Sequence, residues 1–181
     1  MNLIPLASDP LAPAIVCDYG SALRYAGRIQ EGVGFFERCL DLAPNWWGSY
    51  ANLLIAYPEV GRETDALNVL DQIFRLFGSS EDLASWESLP EKDDFQVVLS
   101  RTLGFLENGG GSESLFLRGT YFLAVLHLQA GQAEEAFRYL DSAVNERHPS
   151  FAKSAMVSPV YGSIRDDPRF QAFLQRMGLK E

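Results

Sequence analysis

Apolar residues recur at helical spacing in several separate stretches of the chain. In AEEAFRYLDSAV, Ala136, Leu140 and Ala143 fall on one stripe, and polar residues fill much of the rest. Gly32, Phe36, Cys39 and Leu40 form a similar stripe, as do Ala66, Leu70 and Ile73. Phe95, Val98, Leu99, Leu103 and Leu106 mark a further amphipathic helix, ended by Asn108 and Gly109 to Gly111. Near the C-terminus, Asp167 before Pro168 is an N-cap followed by proline at the first helical position. Phe170, Phe173, Leu174 and Met177 line one face of that helix, and Gly178 suits its C-cap. The pattern predicts an all-α fold.

Three segments share one plan of helix, glycine-centred turn and helix: SALRYAGRIQEGVGFFERCLDLAPN, ANLLIAYPEVGRETDALNVLDQIFRL and LAVLHLQAGQAEEAFRYLDSAVNERHP. Their turn glycines are Gly27, Gly61 and Gly131, spaced by 34 residues and then by 70, twice 35. Two helices of three to four turns with two short turns use about that many residues. One such pair cannot bury its apolar face alone, whereas stacked pairs can. Gly32, Ala66 and Ala136 place a small residue at one repeated position, where it lets neighbouring helices approach closely. The predicted architecture is a right-handed solenoid of antiparallel helix pairs, with about nine to eleven helices.

These segments resemble tetratricopeptide repeats, whose 34-residue pattern has small residues at positions 8 and 20, an aromatic at 11 and proline at 32. With the turn glycines at position 15, Gly20, Leu54 and Ala124 hold position 8, and Gly32, Ala66 and Ala136 hold position 20. Tyr57 supplies the aromatic, Leu23 and His127 depart from it, Pro44 holds position 32, and Pro149 falls one residue late. The resemblance covers about 100 of the 181 residues. It implies a single domain over 1–181, with repeats at 13–46, 47–80 and 117–150, a degenerate repeat with a shortened first helix at 81–116, and a capping segment at 151–181. The C-terminal block Arg165, Asp167, Pro168, Arg169 and Phe170, with Met177, Gly178 and Leu179, is similar to the ending of such arrays in bacterial signalling and transcription-regulator proteins. There the arrays are joined to winged-helix, adenylate cyclase or kinase domains, and nothing in this sequence resembles those.

The net charge of −9 argues against a nucleic-acid-binding surface and against a polybasic membrane patch. No apolar run reaches the ~18 residues of a membrane span, and the N-terminus lacks the basic start of a secretory signal. A cytoplasmic location is expected. Cys17 and Cys39 are too few for a disulfide framework and read as buried free thiols.

No catalytic, cofactor or metal constellation emerges from the sequence. Gly109 to Gly111 lacks the lysine and flanking strand of a phosphate loop. Glu91, Asp93 and Asp94 suit the start of a helix dipole. His127 reads as a satisfied helix residue rather than a general base. The expected function is therefore a non-catalytic module that binds a protein or peptide, with a homodimer also open.

By the resemblance, the groove-lining positions are Cys17, Asp18, Ser21, Arg24 and Tyr25 in the first copy and Ala51, Asn52, Ile55 and Glu59 in the second. In the third they are Arg118, Tyr121, Phe122, Val125 and Gln129. Cys17, Ala51 and Tyr121 stand where some family members grip a carboxylate, so an apolar contact with an extended or helical peptide fits better. Two alternatives stay open: a regulatory or sensor domain of a larger signalling protein, and an enzyme with a site between helices.

Overall fold

A computed structural model describes residues 12–88, 94–108 and 119–180. Every regular element among them is helical. The α-helices are α1 (Ala12–Tyr25), α2 (Ile29–Leu42), α3 (Trp47–Glu59), α4 (Glu63–Phe77), α5 (Ser80–Glu87), α6 (Phe95–Glu107), α7 (Thr120–Gln129), α8 (Ala133–Asn145), α9 (Pro149–Ser154) and α10 (Pro168–Arg176). A 3-10 helix, Pro159–Ile164, lies between the last two. None of the described helices is long and apolar enough to cross a membrane. The packing groups the chain into two compact units, Met1–Leu76 and Phe77–Glu181.

In the first unit, α1 turns back onto α2 across Gly27, which holds the left-handed φ of 78° that a side chain resists. The Arg28 N–H donates to the Leu23 carbonyl at 2.9 Å and the Gly27 N–H to that of Arg24 at 3.0 Å, which satisfies two carbonyls at the end of α1. Gly61 closes α3 in the same way. The helices of the first hairpin touch through Gly20 and Gly32. A Cβ on Gly32 would lie 2.8 Å from the Gly20 carbonyl oxygen, and one on Gly20 the same distance from the Phe36 ring. The repeated small residue is thus a steric requirement in this copy. Val33, Phe36, Leu53, Leu54 and Ala56 fill the core around it.

One sequence expectation is corrected in this hairpin. Cys17 and Cys39 are not free thiols: they form a disulfide from α1 to α2, with Cα atoms 5.6 Å apart. Folding about Gly27 places the two cysteines opposite each other, within the Cα separation that a disulfide spans.

In the second unit, α7 and α8 form a hairpin across Gly131, which has a φ of 70°. The stripe on α8 packs inward, with Ala136, Leu140 and Ala143 all fully buried. By contrast, α7 is buried on every face from Tyr121 to Leu128, because its residues are apolar all round. The end of α8 repeats the glycine-type turn with Arg147 at a φ of 51°, and the His148 N–H reaches the Ala143 carbonyl at 2.8 Å.

Helix α5 has only 8 residues and opens with a capping box between Ser79 and Asp82. Asp94 caps α6 by accepting from the Gln96 and Val97 N–H groups at 2.9 and 3.1 Å. Glu91, Asp93 and Gly109 to Gly111 lie outside the described residues.

The C-terminal block forms a short helix with Asp167 at its N-cap. Asp167 accepts from the Arg169 N–H at 2.8 Å, and Gly178 ends α10 with a φ of 71°. Phe170, Phe173 and Leu174 are buried, and Phe170 stacks on Tyr161 at 5.2 Å. Arg165 donates to the carbonyls of Met156 and Ser158, both at 3.1 Å, and so holds the preceding loop.

Candidate functional site

The most constrained polar arrangement in the first unit joins two of the sequence-predicted groove residues. Arg24 of α1 donates through Nε and Nη2 to both carboxylate oxygens of Glu59 at the end of α3, at 2.7 and 2.6 Å. The two side chains are only 5% and 3% exposed. Burying two charges costs several kcal/mol for each ion, and the forked pair of charge-assisted bonds offsets that cost only when its geometry holds. The pair therefore fixes α1 against α3.

The remaining groove positions of this unit differ in access. Ile55 is buried, Asp18 is exposed, and Ser21, Tyr25 and Asn52 are half-buried. Asp18, Ser21 and Tyr25 follow one another at i, i+3 and i+7 and so share a stripe of α1. The Asn52 amide donates to the Gly48 carbonyl at 2.8 Å. This stripe and Asn52 together present a carboxylate, a hydroxyl, a phenol and an amide.

In the second unit the groove positions fall mostly inside the packing. Tyr121, Phe122 and Val125 are buried, and Gln129 is half-buried. The Tyr121 hydroxyl donates to Ser154 Oγ at 3.0 Å, and its ring stacks on His148 at 5.2 Å. Arg118 lies outside the described residues.

His127 is the residue whose chemistry most invites an enzymatic reading, and its surroundings are closed. It is 2% exposed. Its Nδ1 lies 2.8 Å from Gln132 Oε1, its Nε2 3.2 Å from Glu107 Oε1, and its ring stacks on Tyr139 at 5.2 Å. The Tyr139 hydroxyl donates to the same Glu107 oxygen at 2.8 Å. Burial, and then Glu107, push the Tyr139 phenol up to about 12. Both ring nitrogens of His127 thus have partners within the chain, as expected for a satisfied histidine.

A second polar cluster fastens α10 to α8. Arg169 makes a forked pair with Glu134 at 2.8 and 2.9 Å, bonds Asp167 at 2.9 Å, and sits 3.8 Å over the Phe137 ring. The guanidinium of Arg169 holds both carboxyls below the usual range. A shallow depression of about 570 Å³ lies alongside, lined by Phe137, Arg138, Asp141 and Ala172 among others. Its arginines are already committed to carboxylates within the chain: Arg169 to Glu134, and Arg138 to Glu135. Among the described residues, no group of three or more His, Cys, Asp or Glu is placed to hold a metal ion.

Sequence reasoning did not find the Arg24–Glu59 pair or the disulfide. The hairpin register about Gly27 could have suggested the disulfide, since Cys17 lies ten residues before that turn and Cys39 twelve after it. No family model matches this chain, and no curated protein or solved structure matches it either.

Proposed function

We propose that the chain is a non-catalytic protein-interaction module, built as a tetratricopeptide-like stack of helix pairs. Its partner is a protein or peptide, met on the first unit at the face formed by Asp18, Ser21, Tyr25 and Asn52. The observation that carries this reading is the buried Arg24–Glu59 fork. A charge pair of this kind is costly to bury and serves to set one arrangement of α1 against α3. The half-buried side chains beside it are thereby held in position, and pre-ordering lowers the cost of binding. The net charge of −9 favours a partner with a basic contact surface.

Affinity capture from a cell lysate, read by mass spectrometry, tests the proposal. The control is the variant Asp18→Lys, at an exposed position that should leave the circular dichroism melt unchanged. A protein held by the wild type and lost by the variant supports the reading. Capture that is equal for both removes the assignment of this face.

A further inference from the structure

The disulfide of the first hairpin has unequal surroundings at its two sulfurs. Cys39 is fully buried, and Cys17 is 2% exposed. Ser49, fully buried near the start of α3, brings its hydroxyl 3.2 Å from Cys39 Sγ and 3.9 Å from Cys17 Sγ. On another side, Cys39 Sγ lies 3.0 Å from the Pro13 carbonyl oxygen. Around Cys39 there are thus a donor, the Ser49 hydroxyl, which suits a thiolate, and an acceptor, the Pro13 carbonyl, which suits the protonated thiol.

We propose that Cys17–Cys39 is a reversible dithiol–disulfide site with a fixed polarity: Cys17 is the sulfur attacked, and Cys39 is the sulfur that leaves. When local opening of the hairpin uncovers Cys17, which is 2% exposed in the closed fold, a thiolate of an external dithiol attacks Cys17 Sγ and forms a mixed disulfide. The Cys17–Cys39 bond breaks, and its electron pair goes to Cys39 as a thiolate. The Ser49 hydroxyl donates to that developing charge, which lowers the barrier because leaving-group stability governs thiol–disulfide exchange. The second thiol of the reductant then attacks its own sulfur in the mixed disulfide and releases Cys17 as a thiolate. Overall, two electrons pass from the dithiol to the cysteine pair, and the dithiol becomes a cyclic disulfide. Once protonated, the Cys39 thiol donates to the Pro13 carbonyl, so the reduced state leaves no buried polar group stranded. Ser49 is a positioning residue in this scheme.

The physical consequence is a hairpin with two settings. Oxidised, α1 and α2 are locked together beside the close Gly20–Gly32 contact. Reduced, the same helices pack without the crosslink, and the hairpin can open at lower cost.

The experiment treats the oxidised full-length protein with excess glutathione, quenches samples with acid at intervals, and locates the mixed disulfide by peptide mass spectrometry. Trypsin cleaves after Arg38, so the two cysteines fall on separate peptides. Glutathione is expected on Cys17 first. Appearance on Cys39 first, or equally on both, overturns the polarity.

In parallel, the rate of reduction by dithiothreitol is measured for the wild type, Ser49→Ala and Ser49→Thr. Alanine should slow reduction about tenfold or more, the scale of a lost hydrogen bond to a charge. Threonine, which keeps the hydroxyl, should restore most of the rate. A Ser49→Ala protein that melts like the wild type yet is reduced at the same rate removes Ser49 from the scheme. A protein that shows only free thiols after air oxidation removes the site altogether.

Discussion

Two glycines two residues apart on α2 should respond to the same substitution with opposite signs. Gly34 is exposed, and a Cβ added there meets nothing within 4 Å. Gly34→Ala should therefore gain the ordinary helix-interior advantage of alanine, about 0.5–1 kcal/mol. Gly32→Ala has the same local advantage, but its Cβ would sit 2.8 Å from the Gly20 carbonyl oxygen and 3.3 Å from the Arg24 backbone nitrogen. Both obstacles are backbone atoms of α1, which the Cys17–Cys39 crosslink ties to α2. Overpacking of this kind costs about 1–3 kcal/mol, so the net effect should be a loss of about 1 kcal/mol. In a unit of this size, that corresponds to roughly 4–8 °C in Tm. Thermal melts followed by circular dichroism, with urea titrations to check that the m-value is unchanged, measure both variants. Repeating them with Cys17→Ala and Cys39→Ala, where the hairpin can give, should shrink the Gly32→Ala penalty. A Gly32→Ala protein as stable as Gly34→Ala in the crosslinked background would refute the close-contact argument.

Other substitutions probe the remaining elements. Arg147→Gly should stabilise the second unit by about 0.5–1 kcal/mol in denaturant titrations, because Arg147 holds a left-handed φ of 51° that suits glycine. Arg24→Met should cost about 3–5 kcal/mol by taking the guanidinium from a buried Glu59, whereas Arg24→Met with Glu59→Leu should recover most of that loss. His148 caps α9 by accepting the Ser150 N–H on Nδ1 at 3.3 Å, and burial lowers its proton affinity below the usual value of 6.5. The unfolded chain thus takes up this proton first. The stabilisation from His148 is complete above about pH 6.5 and is lost as pH falls from there towards the lowered folded value. His148→Asn keeps a capping acceptor that does not titrate, so urea midpoints between pH 7 and 5 should fall less for the variant than for the wild type.

The sequence makes the local grammar of the chain legible and its long-range pairings much less so. Turn glycines are readable because only a few residues tolerate a left-handed φ, and Gly27, Gly61, Gly131 and Gly178 all adopt it. The cap of α10 is readable because Asp167 and Pro168 carry their signal in adjacent residues. Arg147 escapes notice because nothing in its chemistry announces that conformation. The groove assignment on α7 rests on resemblance alone, and the composition of that helix already points elsewhere. TYFLAVLHLQ is apolar around its whole circumference, which fits burial better than one open face. Arg24 and Glu59 each read from the sequence as groove-lining positions, and only the packing of α1 against α3 shows that they meet. Cys17 and Cys39 read as separate thiols because two cysteines form no framework pattern, and their proximity depends on the register of α1 on α2.

The interaction reading is tested most directly by hydrogen–deuterium exchange on the captured partner complex. New protection is expected in the peptides spanning Asp18 to Tyr25 and Asn52 to Glu59, with little change in α7. Protection confined to the second unit, or no change in exchange anywhere, would contradict it.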